Sequence, residues 1–137
     1  TQGVSSAASD VYKRQDPAPA SLSARWHEIA REELGFDGVI VTDDLGMLQS
    51  SGIPEYSDPV RNAVSAVVAG TDLVLMIAGS TPDTAGQIVQ GLTAAVDAGS
   101  LPADRLAEAA TRVMSLRLQS MSATTDWALC PECEPVG

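Results

Sequence analysis

Two adjacent carboxylates, Asp43 and Asp44, follow directly on the run Val39-Ile40-Val41-Thr42. A β-branched run without a polar break fits a strand covered on both faces, as in a parallel sheet. Loops at the carboxyl ends of parallel strands are where α/β folds place ligands and catalytic groups. A carboxylate held there can attack an electrophilic carbon or help to hold a divalent cation. It can equally cap a helix or order a loop, and the residues alone leave both readings open for Asp43.

The elements that would position this pair can be read outward from it. Trp26, Ile29, Ala30 and Leu34 fall on one face of a helix over about 24–34, capped by Ser21 or Ser23 and ended by Gly35. The first strand is expected at 38–42, and a Ser/Gly/Pro-rich loop at 46–55. Ser57-Asp58-Pro59 is a helix start. Val60, Ala63, Val64, Val67 and Val68 form the buried stripe of that helix, and Gly70 stops it. A second buried strand is expected at 72–77. A helix follows from about 79–82 to 98, with Ile88, Leu92, Ala95 and Val96 inside. The last helix runs from 101–102 to about 120, with Leu106, Ala109, Ala110, Val113, Met114 and Leu116 as core.

Strands alternating with helices imply parallel βαβ units with right-handed crossovers. Two strands leave open edges, and a complete barrel of eight such units needs about 250 residues. The 137 residues are therefore read as an α/β chain, the C-terminal portion of a (β/α)8 barrel. Three segments are expected: 1–15, 16–120 and a flexible tail over 121–137. Residues 1–15 carry no clear period and hold the only lysine, Lys13; Ser5 to Gln15 resembles a translated sequencing adapter and is set aside.

A formal net charge of −10 argues against nucleic acid or an anionic membrane as partner. No apolar run approaches the length of a membrane-spanning helix. Cys130-Pro131-Glu132-Cys133 is at most half of a four-thiolate zinc site, so a local disulfide or two free thiols is the preferred reading. Asp37 is expected to shape the turn before the first strand, and Asp72 to start the second by side-chain hydrogen bonding. His27, between Trp26 and Glu28, is expected to be a partly exposed helix residue.

Three blocks resemble glycoside hydrolase family 3, in its bacterial β-N-acetylglucosaminidase branch of peptidoglycan turnover. They are Pro19 to Ser23, Arg31 to Met47 with its Gly35-Phe36-Asp37-Gly38 turn and Thr42-Asp43 step, and Ala69 to Met76. The resemblance covers about residues 16–118. It implies a (β/α)8-type barrel, hydrolysis with retention through a covalent glycosyl-enzyme intermediate, a carbohydrate substrate and no cofactor or metal. It also implies Asp43 as the nucleophile at the end of the seventh strand. A retaining enzyme needs such a carboxylate roughly 5–5.5 Å from a proton donor across the anomeric carbon. Met47 and Asp44 are the accompanying substrate-binding candidates, with Asp44, on the other side of the pleat, read first as a loop-orienting residue.

The chain departs from the pattern in two places. Gly46 stands where the family usually has Ser. The family's histidine acid/base loop and its Lys-His-Phe-Pro-Gly-His-Gly motif are absent, and His27 does not take their place. The 137-residue chain alone is therefore expected to lack glycosidase activity. The alternatives are a receiver-like module, with an acidic pair holding Mg²⁺, and a non-catalytic remnant. The receiver reading needs a later lysine, which the chain lacks after residue 15.

Overall fold

The computed structural model describes residues 17–122. A 3₁₀ turn at Ala20–Leu22 leads into α1, which begins as an α-helix at Ala24–Glu28 and continues as a wider turn at Ile29–Glu33. Ser23 caps it, its hydroxyl accepting from the Trp26 N–H. The widening shows in the bond from Leu34 N–H to the Ile29 carbonyl, five residues back. It rotates Leu34 away from the expected buried face and leaves it 75% exposed, a correction to the helical pattern. Gly35 then reverses the chain with φ 64°, a conformation that costs glycine little.

α2 is a single turn, Gly46–Gln49, inside the segment expected to be loop, and a 3₁₀ turn follows at Pro54–Tyr56. α3 spans Pro59–Ala69 and starts where the Ser57-Asp58-Pro59 signal placed it. Asp58 Oδ1 accepts the N–H groups of Val60 and Arg61, and Pro59 occupies a first-turn position that needs no donor. α4 spans Thr84–Asp97 and α5 spans Ala103–Ser122.

Helices α3 and α4 pack at close range because Gly91 has no Cβ; one there would overlap the Val60 side chain. Two apolar clusters fill the interior. Leu45, Ala63 and Ala66 form one, and Val67, Ala95 and Leu101 the other, with Val74 packed against both. The outer part of α5 differs from expectation: Met114 and Leu116 are exposed, as are Leu118 and Met121. Residues 1–15 and the Cys130–Cys133 pair lie outside the described residues, as does the tail beyond Ser122.

The two segments expected as strands run side by side in parallel, but among the described residues neither forms a regular strand, a correction to the expected strands at 38–42 and 72–77. Among the described residues, one isolated parallel bridge joins Val41 to Leu73. The Asp72 and Leu73 N–H groups donate to the Ile40 carbonyl, and the Thr42 N–H to the Leu73 carbonyl. Beyond these, side chains take over the rungs. Ile40 N–H donates to Asp72 Oδ2, Leu75 N–H to Thr42 Oγ1, and Ile77 N–H to Asp44 Oδ1. The register is held without a continuous backbone ladder, and one isolated bridge among the described residues does not by itself make the expected section of a barrel.

Alternation along 73–77 is clear. Val74 and Met76 pack on the helices, while Leu73, Leu75 and Ile77 face outward together with Val41.

The amino ends of the paired segments are tied by a charge cluster. Asp72, whose side chain is fully buried, bridges Arg31 through Oδ2 and both Arg105 and Arg112 through Oδ1. Arg31 also donates to the Phe36 and Gly38 carbonyls, and Arg105 to those of Gly70 and Thr71. Burial alone raises the Asp72 carboxyl pKa and is the largest single influence. The Ile40 N–H and the Arg105 and Arg31 guanidinium groups together outweigh it and hold the value below the usual carboxylate range. Asp72 thus does more than begin its segment, because it joins α1, α5 and both paired segments.

Candidate active site

Thr42, Asp43 and Asp44 stand at the carboxyl end of the first paired segment, and their environments differ. Thr42 is buried, its hydroxyl taken up by the Leu75 amide. Asp44 is turned toward the second segment. Its Oδ1 accepts from Ile77 N–H (2.8 Å) and Gly46 N–H (2.9 Å), and its Oδ2 from Ala78 N–H (3.1 Å). The Ile77 amide is the main cause of a lowered Asp44 pKa; partial burial opposes it, and the Ala78 and Gly46 amides reinforce it.

Asp43 is exposed. Its Oδ1 accepts from the Asp44 N–H (2.8 Å), while its own N–H donates to Ser21 Oγ (3.3 Å). One bond to a neighbouring amide orients the carboxylate and leaves acceptor capacity facing outward. Of the adjacent pair, one carboxylate is consumed by three backbone amides and the other is presented to solvent. A shared Mg²⁺ site of the receiver type needs both open, so the geometry does not favour that alternative. Met47, on α2, is 61% exposed.

Gly46 explains how the loop closes. The Ala78 carbonyl lies against its α-carbon so tightly that any Cβ would overlap it. A serine at this position therefore requires the 77–79 turn to move outward.

Asp43 and Met47 are both exposed, while Asp44 is turned into the loop backbone. His27 is elsewhere and needs correcting: it is only 6% exposed. Its Nδ1 donates to the Ser23 carbonyl (2.7 Å), and its Nε2 pairs with Thr71 Oγ1 (2.9 Å). Gly70, at φ 128°, makes room for it, since a Cβ there would come within 2.6 Å of the His27 Cβ. The helical pattern could not show this, because Thr71 lies 44 residues away. Ser21, one of the two expected caps of α1, accepts instead from the Asp43 N–H, a contact 22 residues distant that the helical pattern could not show. Buried Asn62, which donates to the Tyr56 carbonyl, was missed by sequence reasoning.

Residues 3–116 match the glycosyl hydrolase family 3 N-terminal domain. The chain belongs to this family. Curated relatives in the family carry the name beta-hexosaminidase. The one from Methylobacillus flagellatus is 37% identical over 92 residues, covering 66% of this chain and 25% of the relative. The one from Bordetella parapertussis is 35% identical over 118 residues, covering 85% of this chain and 29% of the relative. A solved glycoside hydrolase family 3 beta-N-acetylglucosaminidase from Paenibacillus sp. superposes with a TM-score of 0.66 at 28% identity, over 90% of this chain and 23% of that one. The family 3 chain thus spans between a quarter and a third of the curated relatives it matches. Among the described residues no helix is long and apolar enough to cross a membrane.

Proposed function

We propose that this family 3 chain contributes the nucleophile wall of a retaining β-N-acetylhexosaminidase acting on N-acetylglucosaminides of peptidoglycan. The supporting observation is the split between the two carboxylates. Asp44 gives both oxygens to the loop backbone, and Asp43 remains exposed. In this reading Asp43 attacks the anomeric carbon as the glycosidic bond breaks, the departing oxygen takes a proton from the acid/base, and water then hydrolyses the glycosyl ester to release the sugar and restore the carboxylate. Asp44 positions the loop that carries the sugar rim, and Met47 packs against the sugar. The proton donor comes from outside this chain, so the chain alone turns over nothing.

The test joins residues 17–122 to the upstream portion of the Bordetella parapertussis relative and treats the joined barrel with an activated fluorosugar. The expected result is a mass increase on the peptide containing Asp43 and loss of turnover in Asp43→Asn. Label on another carboxylate, or undiminished cleavage by the Asn variant, overturns the reading. So does turnover of an aryl N-acetyl-β-glucosaminide by the purified 137-residue chain.

A further inference from the structure

Asp43 is held from outside its own segment by a hydroxyl on the loop before α1. Along the first paired segment the N–H groups of Ile40 and Thr42 face the second segment, where Asp72 Oδ2 and the Leu73 carbonyl accept them. The Asp43 N–H is therefore turned the opposite way, out of reach of the second segment. Ser21 Oγ accepts it there at 3.3 Å.

Ser21 is mounted firmly enough to hold a neighbour. Its 3₁₀ turn, Ala20–Leu22, is closed by the Leu22 N–H on the Pro19 carbonyl (2.8 Å) and the Ser23 N–H on the Ala20 carbonyl (3.2 Å). Leu22, the next residue, packs against the cluster of Leu45, Ala63 and Ala66, which anchors the turn in the interior. The ordinary structural use of a serine here is to cap α1, and Ser23 already does that. Among the described residues Ser21 Oγ makes no hydrogen bond besides the one to Asp43.

The Asp43 carboxylate completes the arrangement. Its Oδ1 accepts from the Asp44 N–H at 2.8 Å, and its Oδ2 has no donor among the described residues. Oδ2 therefore keeps its lone pairs for attack. The bond at Oδ1 joins neighbours in sequence and can travel with them. Of the bonds that Asp43 itself makes, the one to Ser21 ties it to a distant part of the chain.

We infer that Ser21 is a positioning residue for Asp43, holding its backbone so that Oδ2 faces the anomeric carbon while Oδ1 stays on the Asp44 amide. This rests on the reading of Asp43 as the nucleophile and adds what keeps it in line. Ser21 itself bonds to no reacting atom. Oδ2 forms its bond to the anomeric carbon as the bond to the departing oxygen breaks. That oxygen takes a proton from the acid/base, and water then releases the sugar and restores the carboxylate.

The test compares Ser21→Ala, which removes the acceptor, with Ser21→Thr, which keeps it. In the full 137-residue chain, hydrogen exchange at the Asp43 and Asp44 amides should accelerate severalfold in the Ala variant and stay near the parent's rate in the Thr variant. The Thr42 amide, held by the Leu73 carbonyl, should be unchanged in both. The second measurement uses the full chain joined to the upstream portion of the Bordetella parapertussis relative. There the Ala variant should take the fluorosugar on Asp43 about tenfold more slowly and lose kcat with KM unchanged, as expected for a misaligned nucleophile. The Thr variant should recover most of the rate. Unchanged exchange at Asp43 in the Ala variant overturns the proposal, as do equal losses in both variants. So does faster exchange throughout α1 and α3, which would make Ser21 a stabiliser of the fold. Label on another carboxylate of the parent, or on none, overturns the proposed function and the role of Ser21 together. Label on Asp43 at the same rate in parent and Ala variant overturns the role of Ser21 alone.

Discussion

The Ile77 amide donates to Asp44 Oδ1 at 2.8 Å across 33 residues of sequence. With the Ala78 and Gly46 amides on the same carboxylate, this joins the loops at the carboxyl ends of both paired segments. The exposed position of Asp43 depends on that joint, because its own carboxylate is held by the Asp44 N–H.

Replacing Asp44 with Ala should free the Ile77 and Ala78 amides while leaving the helices in place. Hydrogen exchange at these two amides should accelerate, and exchange in α3 and α4 should change much less. Equal acceleration throughout would show that Asp44 supports the whole fold.

The pH response follows from the direction of the Asp44 and Asp72 shifts. Both carboxyls have folded-state pKa values below the ordinary ones. Their contribution is therefore full above the unfolded value of about 4 and is lost as pH falls through the lower folded values. Thermal melting should be flat with respect to these groups near neutrality and decline below about pH 4. In the double variant Asp44→Asn, Asp72→Asn, that acid-side decline should be shallower.

Asp72→Ala should be the most damaging single change outside the apolar core. It leaves Arg31, Arg105 and Arg112 crowded at one site without their shared anion. Removing one side of a buried pair costs about 3–5 kcal/mol. Urea unfolding should show the loss as a lower midpoint, and a change under about 1 kcal/mol would assign the cluster a minor role.

Gly46→Ser should cost about 1–3 kcal/mol through overpacking against the Ala78 carbonyl. The strain should be relieved by displacement of the 77–79 turn, seen as shifted amide resonances at Ile77 and Ala78. An unchanged melting midpoint would mean that the turn gives way freely.

Local chemistry was legible where it acts over short sequence distances. The Asp58 cap, the Pro59 start and the stop at Gly70 all depend on residues within a few positions. The place of the first paired segment was legible from its β-branched run Val39-Ile40-Val41, and that of the second from its apolar run Leu73 to Ile77. Their thin pairing was not, because Asp72, Thr42 and Asp44 supply rungs through side chains from distant positions. Leu34 was misplaced because a five-residue turn breaks the 3.6-residue period. Met114 and Leu116 are apolar yet exposed, since a helix period identifies a face without saying what covers it. His27 was misread for a related reason: its covering partner, Thr71, is remote.

The two ends of the paired segments are fastened by carboxylates with different partners, cationic at Asp72 and neutral amides at Asp44. Added electrolyte should therefore weigh on them unequally. Asp72 and its three guanidinium groups form a charged assembly whose rim, including Glu108, reaches solvent and feels mobile ions. The joint at Asp44 has no countercharge to screen. Dense brine would thus loosen the amino-end fastening first, while the rim that presents Asp43 kept its shape.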